Sequence, residues 1–193
     1  PLTITGTASL DTDYSTAFTS KVITTVAGIG TYGSTLNKLY SPRDVSLDSS
    51  GNVYVADFYN NRIMKWAPGA TEGVNIISVN QPWGIHVLDS NTIYVSSYNK
   101  HVVYKYTYAD ETWTQNTVAG LENNNGAELN QLDRPTGIHV DTAGNIYIAD
   151  YSNNRVVKWA PNAVVGEVVA GGNGQGSALN QLYNPRGLTV DDS

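Results

Sequence analysis

Several residue types that support particular chemistries are scarce or missing in this chain of 193 residues. It has no cysteine, which excludes disulfide scaffolds, Cys-ligated zinc, iron–sulfur clusters and thiol nucleophiles. No apolar run approaches the roughly 18 residues that a membrane-spanning helix requires. The 11 Lys and Arg residues are spread along a chain of net charge −6, so the clustered basic footprint of a nucleic-acid binder is missing. We expect neither a nucleic-acid partner nor a membrane partner.

Glycine, proline and aromatic residues are plentiful instead, with 18 Gly, 7 Pro, 13 Tyr and 4 Trp. Aromatic and β-branched residues suit pleated, half-buried strands. Glycine permits the positive φ angles of tight turns. Long runs of strong helix formers are missing from the sequence. This composition predicts an all-β fold.

Four prolines open four copies of an internal repeat, and they lie 40, 53 and 50 residues apart. The opening motifs are Pro42-Arg43-Asp44-Val45, Pro82-Trp83-Gly84-Ile85, Pro135-Thr136-Gly137-Ile138 and Pro185-Arg186-Gly187-Leu188. A Gly-Asn-Val/Ile-Tyr-Val/Ile-Ala-Asp motif follows at 51–57 and 144–150, with a weaker copy at 91–97. An Asn-Asn-Arg turn follows at 60–62 and 153–155, and Val-Ala-Gly closes units at 26–28, 118–120 and 169–171.

Each copy is predicted to form four short antiparallel strands, because alternating residues are separated by turn signals at near-regular spacing. A single sheet of this kind cannot bury both of its faces. Stacking the copies around an axis solves this problem, and a period of 40 to 53 residues with four strands per copy favours a β-propeller. A solenoid is the competing architecture, but its repeats are usually shorter or helical.

Together these motifs resemble those of the NHL-repeat β-propeller family, over about residues 22–193. The motifs are specific for the fold and not for an activity, since the family includes RNA binders, protein-interaction platforms and lyases. The resemblance implies that six blades are the commoner number. The chain is therefore predicted to be a propeller of about four NHL-type blades, or a part of a six-bladed one.

We predict one domain over 1–193, with closing strands at 1–25, repeats at 26–73, 74–117 and 118–166, and a partial repeat at 167–193. Pairing of the first segment with the last would close a four-bladed ring and remove the open edges. Strands supplied by another copy of the chain are the alternative, which would produce self-association through the incomplete blade.

The residue after each opening proline is the best candidate for binding a ligand. In the family, side chains at this position approach the mouth of the central channel. Here the position holds Arg43, Trp83, Thr136 and Arg186. Arginine and tryptophan suit sugars, carboxylates and protein hot spots, so a protein or carbohydrate ligand is expected at the channel mouth.

Catalytic residues, metal ligands and cofactors are not predicted. His86 and His139 occupy the same place in adjacent copies and could form an imidazole pair, but Ser46 and Thr189 fill that place in the other copies. The resemblance implies zinc-binding histidines beside the opening proline in the family's lyases, and this chain lacks them.

Other repeated residues are interpreted as structural. Asp57 with Arg62, and Asp150 with Arg155, are predicted to bridge a turn, and Trp66 and Trp159 to pack between blades. His101 is interpreted as a surface substitute for arginine in the second copy.

The predicted function is a non-catalytic binding or scaffold module, and the protein is expected to be extracellular. Two alternatives remain open. One is a structural subunit of an extracellular assembly completed by strand pairing between chains, and the other is a metal-dependent lyase or hydrolase at His86 and His139.

Overall fold

Residues 24–191 of the chain, described by a computed structural model, form an all-β fold of twelve strands. The strands are β1 (Pro42–Leu47), β2 (Val53–Asp57), β3 (Arg62–Trp66), β4 (Val74–Ser78), β5 (Pro82–Asp89), β6 (Thr92–Ser97), β7 (Val102–Ala109), β8 (Thr112–Gly120), β9 (Pro135–Val140), β10 (Ile146–Asp150), β11 (Arg155–Trp159) and β12 (Glu167–Gly171). Short 3-10 turns at Phe58–Asn60 and Tyr151–Asn153 connect β2 to β3 and β10 to β11. The all-β prediction is confirmed, whereas the predicted closing strands at 1–25 lie almost wholly outside the described residues.

The strands form three four-stranded antiparallel sheets, and in each sheet the strands follow one another in chain order. We call them blade 1 (β1–β4), blade 2 (β5–β8) and blade 3 (β9–β12). The first strand of each blade lies beside the first strand of the next, so the sheets stack face to face around their inner strands. This arrangement is that of a partial β-propeller, as the repeats predict.

Each blade begins at an opening proline, so its first and last residues differ from those of the predicted segments. Arg155 pairs with Gly171 and Val156 with Ala170, so the Val-Ala-Gly strand completes the sheet of its own copy. The segments 74–117 and 118–166 instead begin at a strand that belongs to the preceding blade.

The predicted partial repeat at 167–193 is likewise divided between two parts of the fold. Its first residues form β12, which completes blade 3. The rest, as far as the described residue 191, contains no strand and runs beside β9. There the Gly137 N–H donates a 2.6 Å hydrogen bond to the carbonyl of Arg186.

The hydrophobic core lies between the blades rather than inside any one of them. One buried cluster joins blades 1 and 2, and it includes Ile63, Ile85 and Val95. A second joins blades 2 and 3, and it includes Val103 and Ile148. Each sheet therefore covers the apolar face of its neighbour, which is the physical reason for the repeat.

In the second and third copies, the inner strand and the next inner segment approach so closely that the third residue of the opening motif must be glycine. A Cβ atom on Gly84 would collide with the carbonyl oxygen of Thr136, and one on Gly137 with that of Arg186. Apart from its own chain neighbours, no described residue lies within 4 Å of the corresponding position on Gly187. The glycine of the Pro-x-Gly motif thus reflects close packing between neighbouring inner segments in the second and third copies.

An aspartate and an arginine five residues apart form a buried ion pair in the third copy. Arg155 Nε lies 2.7 Å from Asp150 Oδ2, and both side chains are almost wholly buried. The other guanidinium nitrogens donate to the carbonyls of Ala127, Glu128 and Gln131, at 2.7 to 3.1 Å. The pair therefore holds the long connection from β8 to β9 against blade 3.

The same arrangement recurs in the first copy but not in the second. Arg62 pairs with Asp57 at 2.7 Å, and its guanidinium donates to carbonyls of the segment 34–38. In the second copy Ser97 and Val102 replace the two charged residues, and the preceding connection, 79–81, is only three residues long. The ion pair occurs where there is a long connection to hold, so its role is structural as predicted, although it is buried.

His101 occupies the place of an asparagine and not of an arginine, which corrects the sequence interpretation. It has φ 61°, as Asn61 and Asn154 have 55° and 52°. Each of the three side chains accepts the N–H of the residue before the next opening proline. The His101 bond runs from the N–H of Arg134 to Nδ1, at 3.1 Å. An Nδ1 atom that accepts this bond must carry no proton.

The stability of the protein is expected to decline as the pH falls below the ordinary histidine range, and His101 is expected to cause part of the decline. Burial lowers the pKa of His101, although Asp133 at 3.3 Å opposes this shift. Because the pKa is lowered in the folded state, the contribution of His101 to stability is complete above the ordinary histidine pKa. It is lost as the pH falls through the folded-state pKa. Urea denaturation between pH 7.5 and 5 tests this. The substitution His101→Asn keeps the acceptor and should flatten the decline; an unchanged profile would contradict the assignment.

Candidate functional site

Three of the four residues predicted at the channel mouth line one cavity. Arg43, Trp83 and Arg186 come from three different inner segments of the fold and meet around a volume of about 330 Å³. The other lining residues are Pro42, Asp44, Gly137, Ile138, Gly187 and Leu188. Residues more than 140 positions apart in the sequence are thus brought to one site by the stacking of the blades.

Thr136, the fourth predicted residue, lies beneath this surface. Its side chain is fully buried, and its hydroxyl is within hydrogen-bond distance of two carbonyl oxygens, 3.2 Å from that of Ala149 and 3.0 Å from that of Pro185. The hydroxyl joins blade 3 to the segment that carries Arg186. The structure therefore assigns Thr136 a supporting position and does not bring its side chain to the cavity.

Aromatic residues missed by the sequence analysis complete the site. Phe58, Tyr98 and Tyr151 each follow the residue that ends the second strand of a blade. They occupy the same place in the three copies, so the alignment of repeats contains the signal that would have found them. We call Arg43, Phe58, Trp83, Tyr98, Tyr151 and Arg186 the arginine–aromatic patch.

Trp83 is the centre of the arginine–aromatic patch. Its ring stacks on Tyr98 at 5.0 Å between centroids and meets Phe58 edge to face at 5.6 Å. The guanidinium of Arg43 lies 4.5 Å from the Trp83 ring centre, and that of Arg186 lies 5.8 Å from it. These contacts arrange the side chains before any ligand binds.

Asp44 is the acidic residue in the cavity wall. Its Oδ1 accepts the N–H of Val45 at 2.9 Å, and its Oδ2 accepts the N–H of Ile85 at 3.0 Å. Burial raises the pKa of Asp44 in spite of these hydrogen bonds. It stands where the second and third copies have the close-packed glycine, and it links blade 1 to blade 2 through its side chain.

His86 and His139 lie together, as their shared place in the repeat suggests. Their ring centroids are 5.1 Å apart, edge to face, and Nε2 of His139 is buried without a hydrogen-bond partner in the described chain. Within residues 24–191, no group of three or more His, Asp or Glu side chains is placed to hold a metal ion. A catalytic zinc site needs three protein ligands, so the pair alone does not form one.

A larger cavity of about 1010 Å³ lies against the outer face of blade 1, with apolar walls that include Val26, Leu47 and Trp66. The corresponding faces of blades 2 and 3 are buried against the preceding blade. This surface therefore corresponds to the packing face of the other blades, and its walls are mostly apolar.

A sequence profile of the NHL repeat matches residues 39–66 and 132–159. The chain contains two NHL repeats. Both matches run from just before an inner strand to the tryptophan that ends a third strand, and both contain the Asp–Arg pair. The second copy of this NHL-repeat chain lacks that pair and is not matched, although it forms a complete blade. No curated protein sequence is significantly similar to the NHL-repeat chain.

Solved structures share the propeller architecture of the NHL-repeat chain. An auxiliary nutrient binding protein from Bacteroides ovatus gives a TM-score of 0.60 at 14% identity, covering 81% of this chain and 44% of that one. A protein of unknown function from Bacteroides thetaiotaomicron gives 0.60 at 20% identity, covering 76% and 41%. A gluconolactonase from Xanthomonas campestris gives 0.55 at 17% identity, covering 84% and 54%. At these identities the similarity concerns the fold alone, and the chain spans 41% to 54% of the length of these proteins.

The described part of the NHL-repeat chain has no helix with the length and apolar character needed to cross a membrane.

Proposed function

We propose that this NHL-repeat protein is a non-catalytic binding module, and that a protein or carbohydrate ligand binds at the arginine–aromatic patch. One observation carries the proposal: Arg43, Trp83 and Arg186 share a position in the repeat and line a single cavity at the inner strands. Concave sites with aromatic walls and a few converging polar groups are the usual form of ligand sites.

The names of structural neighbours agree with this proposal in part. Two neighbours from Bacteroides species are called auxiliary nutrient binding proteins, and one neighbour is a gluconolactonase. We favour binding over catalysis because the cavity wall offers two arginines and one carboxylate engaged with backbone N–H groups, with no nucleophile and base among the described lining residues. An extracellular location is part of the proposal.

The substitution Trp83→Ala is expected to weaken ligand binding by more than about tenfold, because central aromatic residues carry much of the binding energy of an interface. Ligands would be selected from an oligosaccharide array and a random-peptide display library, then measured by calorimetry. Trp113→Ala, at the far hairpin of blade 2, is the matched control. Failure to select any ligand, or equal affinity in both variants, would contradict the proposed function.

A second candidate function, a subunit completed by strand pairing between chains, is supported by the segment that follows β12. One edge of this segment bonds to β9 through Arg186, and no strand among residues 24–191 pairs with its other edge. Strands supplied by another chain could pair with this segment and make it the inner strand of a further blade. Light scattering tests this candidate: particles of the chain's own 20.8 kDa mass would reject it, and discrete larger assemblies would support it.

A further inference from the structure

We infer that the arginine–aromatic patch recognises a saccharide that carries a carboxylate, of the uronic acid class. The inference rests on the proposed binding function and names the chemistry of its ligand. Three features carry it: the charge of Arg43 and Arg186, the orientation that the aromatic rings impose on them, and the carboxyl group of Asp44 in the same wall.

The first feature is positive charge that forms no ion pair with an acidic side chain of residues 24–191. Arg43 and Arg186 are both exposed. The ion pairs formed within residues 24–191 involve Arg62, Lys100, His101 and Arg155 instead. Arg134 adds a third exposed guanidinium, 5.7 Å from the ring centre of Tyr98. In a chain of net charge −6, this concentration of cations at one mouth favours an anionic ligand.

The second feature is the orientation of the guanidinium groups. Arg43 lies 4.9 Å from the ring centre of Phe58, and Arg186 lies 5.6 Å from that of Tyr151, in addition to their contacts with Trp83. Aromatic rings attract the cation, while the N–H donors of a guanidinium lie in its own plane and stay available to a ligand. A carboxylate accepts two such donors side by side, which lysine cannot offer.

The third feature separates a sugar acid from other anions. Each oxygen of the Asp44 carboxyl accepts one backbone N–H and retains acceptor capacity for a ligand hydroxyl. Asp44 would repel a ligand made only of acidic groups. A uronic acid satisfies both sides of the cavity, because its carboxylate faces the arginines and its hydroxyls face Asp44. The volume of about 330 Å³ suits a short saccharide.

The test is calorimetry of the full chain with trigalacturonate and with the neutral galactose trisaccharide, at low and high salt. We expect trigalacturonate to bind at least tenfold more tightly than the neutral sugar, and more weakly as salt rises, because the contacts are ionic. Arg43→Gln and Arg186→Gln should each remove most of this preference. Lys38→Gln, which deletes the same charge away from the cavity, should leave it unchanged.

Other outcomes overturn the inference. Equal affinity for both sugars, abolished by Trp83→Ala, would refute the uronic acid class and leave the proposed binding function standing. Arginine-dependent binding of an oligoglutamate peptide without binding of trigalacturonate would assign the site to acidic peptides. Binding of inorganic sulfate as strong as that of trigalacturonate would show a simple anion site. Binding of neither sugar, with no ligand from the array or the peptide library, would refute the inference and the proposed function together.

Discussion

Replacement of Arg155 by leucine is expected to lower the free energy of unfolding by about 3–5 kcal/mol, the usual cost of removing one partner from a buried ion pair. The substitution leaves the Asp150 carboxyl buried without its cation. It also removes the guanidinium donors from the carbonyls of Ala127, Glu128 and Gln131. Buried polar groups without partners are costly, so the connection between blades 2 and 3 should loosen as the sheet is destabilised.

The loss in Arg155→Leu should also depend on pH in a defined direction. Burial raises the pKa of Asp150 even in the wild type, where the N–H of Asp133 and the side chains of Asn153 and Arg155 oppose the rise. Because the pKa is raised in the folded state, the contribution of Asp150 to stability is complete at low pH and is lost as the pH rises through the folded-state pKa. The variant should therefore lose more stability at pH 8 than at pH 5.

Urea denaturation at the two pH values measures this effect. Arg134→Leu, which removes an exposed arginine, is the control and should change stability by less than about 0.5 kcal/mol. The double variant Asp150→Asn with Arg155→Leu should lose less than the sum of the two single losses, because it leaves no unpaired charge. A loss below 1 kcal/mol in Arg155→Leu would show that the pair contributes little.

The substitution Trp159→Ala is expected to destabilise the protein by about 3–5 kcal/mol, as truncations of large buried aromatic side chains do. Trp159 is 1% exposed and belongs to the cluster that joins blades 2 and 3. Gly166 lies directly against its ring, where a Cβ atom would overlap the indole. The backbone is therefore shaped around this side chain, and its removal leaves a cavity that cannot easily collapse.

Thermal and urea denaturation of Trp159→Ala and Trp83→Ala distinguish a core tryptophan from a ligand-facing one. Trp83 is half-buried and lines the cavity, so its truncation should change stability much less. Equal losses of stability in the two variants would place Trp83 in the core. A small loss in Trp159→Ala would contradict the packing of blade against blade through this residue.

The elements of each blade were predictable because they depend on local patterns. A strand is indicated by side chains that alternate between its two faces, and a turn by glycine or asparagine. Each of these patterns extends over only a few residues. The segments 74–117 and 118–166 begin within the fourth strand of the preceding blade, although the motifs place Val-Ala-Gly at the close of each unit. The hydrogen bonds of Val-Ala-Gly to the third strand of its own copy agree with the motifs and not with these segment bounds.

The residues of the candidate site were likewise predicted only in part. The place after each opening proline predicted Arg43, Trp83 and Arg186, and the structure brings them to one cavity. The same rule also selected Thr136, which is buried under carbonyls of neighbouring segments. A small hydroxyl side chain can be enclosed between inner strands, whereas arginine and tryptophan are too large for that space and extend to the surface.

The sequence by itself determined the repeat, the four-strand unit and, in the first and third copies, the Asp–Arg pair, because the residues of a single copy are enough to specify these features. Only the tertiary structure decided that Phe58, Tyr98 and Tyr151 join the cavity residues in one patch. The physical reason is that contacts between copies depend on how the sheets stack. That geometry is set by burial of apolar faces between blades, which no single repeat contains.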